Sequence, residues 1–454
     1  MTIARLGKML ATWAVLAAAF LVVSASAESK ARIVRLSEVQ GAVQIDRAAG
    51  GGFDKAFLNL PVIEGTRVKT GKNGRAEVEF EDGSALRLAP DSEVDFTRLA
   101  LGDDGQKLST VQLVSGIVYA DLHPKNAREK SDRFLLNFAR ESVTVSEAAH
   151  FRLELDGASQ ATLAVFKGKL SATTPSGQFD LAGKHSATIN LASNELTNDA
   201  PAKKDTFVIA RNYDDAPSDD WDRQQTDYHD RYATAGGSAI SSPYGYGMSD
   251  LNYYGNFMTV PGYGNVWQPY FIGANWSPFQ DGGWAFYPSF GYMFVSGYPW
   301  GWMPYNYGNW AFAPGFGWIW QPGNWNSWNA LPLVVNAPVG TKVPVPPASG
   351  HQTVMVGRGL AANPAVGASH RVTINPSSAS FGVPRGSVRR LDRLSKTMER
   401  TSRPVVVAIA PPVPAMAPAT AFAPSSSSIR GGTFAGTATT ASPHTSTASP
   451  THPH

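Results

Sequence analysis

Ten of the twelve tryptophans in this 454-residue chain fall between Trp267 and Trp328, a stretch without lysine, arginine, histidine or glutamate. A 76-residue window from Tyr253 to Trp328 holds 27 aromatic residues and 13 glycines. Large apolar rings with one polar handle each pack, stack on a flat ligand or adhere to a partner. The stretch offers almost nothing with which to move a proton. Its composition points to binding or structure rather than to catalysis.

The aromatic block contains near-repeats. Gly273-Ala274-Asn275-Trp276, Gly308-Asn309-Trp310 and Gly323-Asn324-Trp325 share an ending, and Val266-Trp267-Gln268-Pro269 is echoed by Ile319-Trp320-Gln321-Pro322. Their irregular spacing argues against a fixed-period solenoid. It fits short aromatic strands separated by Gly, Asn and Pro turns. Two roles compete for the rings: a compact β core, or an exposed platform that stacks on sugars or another flat ligand. Trp is rarely buried completely, so a core of this size leaves some ring faces in solvent. The candidate platform residues are Trp267, Trp276, Trp284, Trp310, Trp320 and Trp325. Strand alternation places Trp300 and Trp302 together on one face, with the core as their expected environment. No Lys or Arg occurs from Ala233 to Thr341, so nothing there neutralises phosphates and nucleic acid is not expected as a partner.

The first 27 residues read as a cleaved export signal: Arg5 and Lys8, an apolar run from Met9 to Val23, then Ala25-Ser26-Ala27 before Glu28. That run is 15 residues, short of the roughly 20 a bilayer span needs. With no cysteine anywhere, there is no lipid-attachment residue, disulfide or thiolate metal site. A periplasmic or secreted location is expected. The net charge of +3 divides unevenly: the chain from Leu331 onward carries +9, and Glu28 to Ala330 carries −8. A basic C-terminal part of this kind is able to touch an anionic surface.

Residues 31–192 read as all β, either a sandwich or a solenoid-like fold. Alternating stretches recur at Arg32–Leu36, Ala42–Ile45, Arg75–Leu88, Thr110–Leu122, Phe134–Phe138, Ser142–Val145, Phe151–Leu155, Ala161–Phe166 and Lys169–Thr173. Gly116, Gly157, Gly168 and Gly177 are read as turns between strands. For the Arg75–Leu88 hairpin, a three-residue loop of Glu81-Asp82-Gly83 pairs Val78 with Leu86 and Ala76 with Leu88. It also places Gly83 at a left-handed position.

The run from Leu60 to Gly71, with Ala76-Glu77-Val78-Glu79-Phe80-Glu81-Asp82-Gly83-Ser84, resembles the FecR family. Gly116-Ile117-Val118 and Val165-Phe166-Lys167-Gly168-Lys169-Leu170 fit the same pattern, so the resemblance covers about 31–190. It implies an all-β extracytoplasmic domain like that of iron-dicitrate sensor proteins. One departure is Ala148-Ala149-His150-Phe151, where the family usually shows Gly-Thr before a Phe. The family's best-known members act on a sigma factor and carry a cytoplasmic segment and a membrane helix ahead of this domain. An export signal stands in that place here, so the anti-sigma function is not carried over. The run Tyr298-Pro299-Trp300-Gly301-Trp302-Met303-Pro304-Tyr305-Asn306-Tyr307-Gly308-Asn309-Trp310 resembles the Trp/Tyr/Gly-rich DUF6600 family over about 250–330. Asn306 and Asn309 stand where that family commonly has His and Arg. The resemblance implies an architecture and no mechanism.

Between the two regions, 193–247 reads as a linker. Its acidic part includes Asp214, Asp215, Asp219, Asp220, Asp222, Asp227 and Asp230, and a Gly/Ser/Tyr part follows. The Asp-x-Asp-x-Asp-Gly spacing of a calcium loop is missing. Residues 331–383 read as a Pro/Val-rich extended segment, and 384–402 as a short basic helix with Val388, Leu391, Leu394 and Met398 on one side. Residues 403–454 read as an Ala/Pro/Ser/Thr tail too poor in apolar side chains to fold. His123, His150 and His185 show no metal-ligand spacing, and His444, His452 and His454 lie in that tail.

The expected protein is therefore an exported, non-enzymatic, all-β envelope protein. It has an aromatic-rich second domain that binds a ligand, glycan, envelope polymer or protein partner, and it needs no cofactor or metal. The alternative is a glycan-binding or glycan-hydrolysing protein that uses the aromatic block as its cleft. Asp250 and Asp281 would be the carboxylates in play there.

Overall fold

The computed structural model describes residues 32–408 except 103–104, 125, 128–129, 158, 176, 192–206, 234–239 and 362–370. The proposed signal segment and almost all of the proposed tail lie outside the described residues.

The N-terminal region is a two-layered sandwich. One layer runs in the order Phe207–Ala210, His185–Asn190, Gln160–Thr174, Ala149–Asp156, Lys107–Leu122, Ala85–Leu88, Arg75–Glu79, Val34–Gln40, Pro61–Val62. The other layer includes Val43–Asp46, Arg67–Thr70, Glu93–Leu101, Arg133–Phe138, Glu141–Val145 and Gly177–Ala182. Leu36, Val78, Leu86, Val118 and Leu153 from the first layer share one core with Val68, Phe96, Val111, Leu136 and Val143 from the second. The hairpin has the expected register, with Ala76 opposite Leu88 and Val78 opposite Leu86. Gly83 closes it at φ 91°.

Two expected turns are kinks inside long strands. Lys107–Leu122 pairs with Glu93–Leu101 up to Ser115, and from Gly116 onward with Ala149–Asp156 in the other layer. Gln160–Thr174 makes the same passage around Gly168. Both glycines have positive φ, 84° and 83°. A Cβ would meet Asp91 O at 2.6 Å at Gly116 and Ala148 O at 2.1 Å at Gly168, so a side chain fits neither conformation nor space. These glycines let one strand serve both layers.

The acidic segment expected to be a linker instead contains helix α1, Asp219–Tyr232. Asp219, Asp220 and Asp222 occupy its first turn and His229 and Arg231 its last, the arrangement that complements the helix dipole. Asp219 and Asp222 are buried against the sandwich. Helix α2, Met248–Tyr254, follows.

The aromatic region forms a five-stranded sheet in the order Gly255–Val260, Gly264–Pro269, Gly317–Gln321, Asn309–Ala313, Val334–Val335, and a three-stranded sheet of Gly291–Ser296, Gly282–Tyr287 and Val354–Val356. Trp320 sits opposite both Trp267 and Trp310. Trp300 and Trp302 are fully buried but lie on no strand, which corrects the expected alternation. They occupy the turn leading into the short helix α3, Met303–Asn306. Trp300 packs on Trp267, Tyr298 and Trp310, whereas Trp302 packs on Tyr246 and Trp328.

The chain after this region remains part of the same body. Trp300 Nε1 donates to Ala379 O, Tyr254 Oη to Val383 O and Tyr253 Oη to Val388 O. Helix α4, Leu391–Thr401, falls within the expected basic helix and buries Leu391, Ser395 and Met398.

Candidate functional site

Side chains alternate across a strand, so residues between the core positions of the first layer point outward. Arg35, Glu77, Glu79, Arg87, Tyr119 and Arg152 do so, yet all are buried. Helices α1 and α2, the aromatic region and the segment around Arg385 cover them. Arg87 Nε donates to Glu77 Oε2 at 2.8 Å and its Nη1 to Asp222 Oδ1 at 2.6 Å. Arg152 Nη1 holds Asp219 at 2.6 Å, and Tyr119 Oη donates to the same carboxylate. Arg35 Nη1 meets Asp250 at 2.6 Å and Glu79 at 3.2 Å, while its Nη2 caps Pro299 O. Arg385 Nη1 meets Glu77 at 2.6 Å and its Nε meets Asp250 at 3.2 Å. His229 Nε2 lies 3.0 Å from Glu77, and His150 Nε2 lies 2.7 Å from Asp222. The residue at the family departure thus ties the sandwich to α1.

The electrostatics follow from the partners. Burial pushes the Glu77 carboxyl up, but the facing charges of His229, Arg385 and Arg87 overcome this and hold it well below the usual range. Glu38, directly across the strands from Glu77, also feels Arg385 and Arg87, but they do not outweigh its burial. Burial dominates and raises its carboxyl, and its Oε2 has no hydrogen-bond partner. Burial also opposes ionisation of Asp250, and Arg385 and Arg35 reverse it. These groups are largely consumed by one another, with only the His229 and His150 side chains partly open to solvent, so the network fastens elements together.

Most tryptophans of the aromatic block are buried. Trp267, Trp284, Trp310 and Trp320 are at most 2% exposed, so these four are core and not platform. Trp276 is 5% exposed. Trp325 is half-buried and packs on Tyr244, Tyr307 and Trp320. What remains open is a cleft of about 750 Å³. Trp276, Phe279, Phe312 and Trp318 form one wall, and the Pro338–Pro344 strap forms the other. Phe312 is the half-buried ring of that wall; Asn275 and Gln280 are exposed at its rim, with Ser277 and Thr341 nearby. Lys342 is the one charged residue lining it. Composition had pointed to this block, but Phe279, Phe312 and Trp318 emerge only from the fold.

Asp250 and Asp281 are both held by partners within the protein. Asp250 is locked by Arg35 and Arg385, and Asp281 by Arg358, at 2.6 Å, and Tyr298, at 2.9 Å. Among the described residues no group of three or more His, Asp or Glu is arranged to hold a metal ion. No described helix is long and apolar enough to cross a membrane.

Residues 66–171 match the FecR protein family. Residues 248–347 match DUF6600, a family of unknown function. The FecR match covers the kinked strands and most of the charged face, and the DUF6600 match covers α2, both aromatic sheets up to Val335, and the strap. Arg385 and α4 lie beyond both. None of the curated proteins matches the chain. Two crystal structures of a proposed anti-sigma factor from Parabacteroides distasonis align with it at 15% and 14% identity and a TM-score of 0.25 each. Each alignment spans 32% of this chain and 59% of that one.

Proposed function

We propose that this is a non-enzymatic binding protein of the cell envelope, in which the FecR and DUF6600 regions form one rigid body. Its ligand site is the cleft between the Phe312 wall and the Pro338–Pro344 strap. The observation that carries the reading is the chemistry of that cleft. Its wall is aromatic, its rim carries amides and hydroxyls, and no carboxylate lines it. Such a surface suits an extended uncharged ligand, and an envelope glycan fits best: accessible ring surface packs on the apolar sugar faces and amides meet the hydroxyls. Both carboxylates of the aromatic region are tied in ion pairs, which supports binding over hydrolysis. The FecR match supports an envelope location, and the export signal read in the sequence agrees with it.

Titration of the whole protein with a panel of envelope glycans tests the reading. Binding to a neutral glycan is expected, with Phe312→Ala weakening it about fivefold or more while leaving the melting temperature near wild type. Absence of binding across the panel, or a Phe312→Ala variant that binds as wild type does, removes the cleft as the site. Recovery of the protein only from the cytoplasm would remove the envelope assignment.

A further inference from the structure

Eleven cations follow Leu331. Two of them, Arg358 and Arg385, are consumed by Asp281, Glu77 and Asp250. Six of the others crowd into 389–403: Arg389, Arg390, Arg393, Lys396, Arg400 and Arg403, against only Asp392 and Glu399. All six are exposed. Within α4, Arg393, Lys396 and Arg400 are three and four residues apart, so they form one line along the helix about 10 Å long. Arg389 and Arg403 flank it at the two ends. Asp392 is paired with Arg390, and Glu399 accepts a hydrogen bond from Ser395. Leu391, Ser395 and Met398, which are buried, lie on the opposite side of the helix. The apolar side that could have entered a bilayer is therefore already spent on this protein's own core, and the charged line faces out with Thr397, Glu399 and Thr401 exposed beside it.

We propose that this line is a peripheral docking surface for a bilayer rich in acidic lipids. The contact is electrostatic and involves no insertion. Charge complementarity argues for the occupant: the +4 of 389–403 is set on a chain whose 28–330 portion carries −8, so this segment is the part whose net sign favours an anionic surface. The cations project from the outer face of the helix in one line, which can lie tangent to a bilayer surface. Basic residues beside an acidic membrane each strengthen binding by about 1 kcal/mol, about fivefold.

The experiment is sedimentation of the full protein with phosphatidylcholine vesicles, with or without one third phosphatidylglycerol. Wild type is expected to bind only the acidic vesicles and to release as salt rises. Arg393→Gln/Lys396→Gln/Arg400→Gln should bind roughly a hundredfold more weakly, at about fivefold per charge, with an unchanged melting temperature. The control Lys55→Gln/Lys72→Gln/Lys167→Gln removes three exposed charges from the sandwich and should bind as wild type does. Equal binding to both vesicle types, no loss in the α4 variant, an equal loss in the control, or retention by soluble polyphosphate without vesicle binding would each overturn the proposal.

Discussion

The Arg385 guanidinium lies 2.6 Å from the Glu77 carboxylate, although 308 positions of sequence separate them. Glu77 belongs to the FecR sandwich and Arg385 to the chain beyond the DUF6600 match. The same guanidinium reaches Asp250 in α2 and donates to Ser37 O. One side chain thus fastens the sandwich, the helix leading into the aromatic region and the C-terminal segment.

Replacing Arg385 by Met leaves Glu77 and Asp250 buried with fewer counter-charges. A loss of about 3–5 kcal/mol is expected, the usual result of removing one partner from a buried ion pair. Denaturant unfolding of the variant measures it. A midpoint equal to wild type would show that the pair contributes nothing.

Glu77 and Glu38 face each other across paired strands and should respond oppositely. Because the folded Glu77 carboxyl lies below its ordinary 4.5, its contribution is full above that pH and is lost as pH falls toward the depressed value. Glu77→Gln should therefore lower stability at pH 7 and flatten the acid limb of the stability curve. Glu38 is raised by burial, so its ionised form opposes folding above its ordinary value, and the opposition fades as pH falls through the raised one. Glu38→Gln should leave stability at pH 7 unchanged or higher. Melting temperatures of both variants from pH 3 to 8 check the signs, and a reversed order would contradict the assignment.

Trp300→Ala and Trp302→Ala should each cost about 3–5 kcal/mol, because each empties a fully buried site. Chemical denaturation reads the cost. Curves that overlay wild type would return these rings to the surface.

Much of this architecture was legible in the sequence, for identifiable reasons. The Ala76/Leu88 and Val78/Leu86 register followed from apolar alternation, and the family segments from their motifs. Two things were hidden. Gly116 and Gly168 look like turn residues because positive φ is usually a turn signal, and only tertiary pairing shows them as kinks within a strand. Glu77, Glu79 and Arg87 look solvent-facing for the same alternation that buries Val78. Their burial depends on α1, α2 and Arg385, which are far away in sequence. The remaining hint was the mixture of both signs on one face, together with Asp-rich residues placed where a helix begins. Likewise, abundance of Trp could not separate core from platform, because ring burial is a property of the packed sheets.

Asp250→Asn and Asp281→Asn distinguish a structural from a catalytic role. Both carboxylates lie below their ordinary values, Asp250 through Arg385 and Arg35 and Asp281 through its bonds to Arg358 and Tyr298, in each case against the opposing effect of burial. Both variants should melt earlier than wild type, and neither they nor wild type should turn over glycan. Loss of a measurable hydrolytic activity with unchanged melting would reverse the reading.

The central claim is that the sandwich, the aromatic region and the C-terminal segment are one unit locked by buried charge. Equilibrium unfolding of the whole protein followed by two signals tests it most directly. Tryptophan emission reports mainly the aromatic region, where ten of the twelve tryptophans lie, and far-ultraviolet dichroism reports chiefly the strands of both regions. The account predicts a single transition with one midpoint in both signals, shifted together to lower denaturant in Arg385→Met. Two separated midpoints, with the sandwich surviving after the aromatic signal is lost, would contradict it.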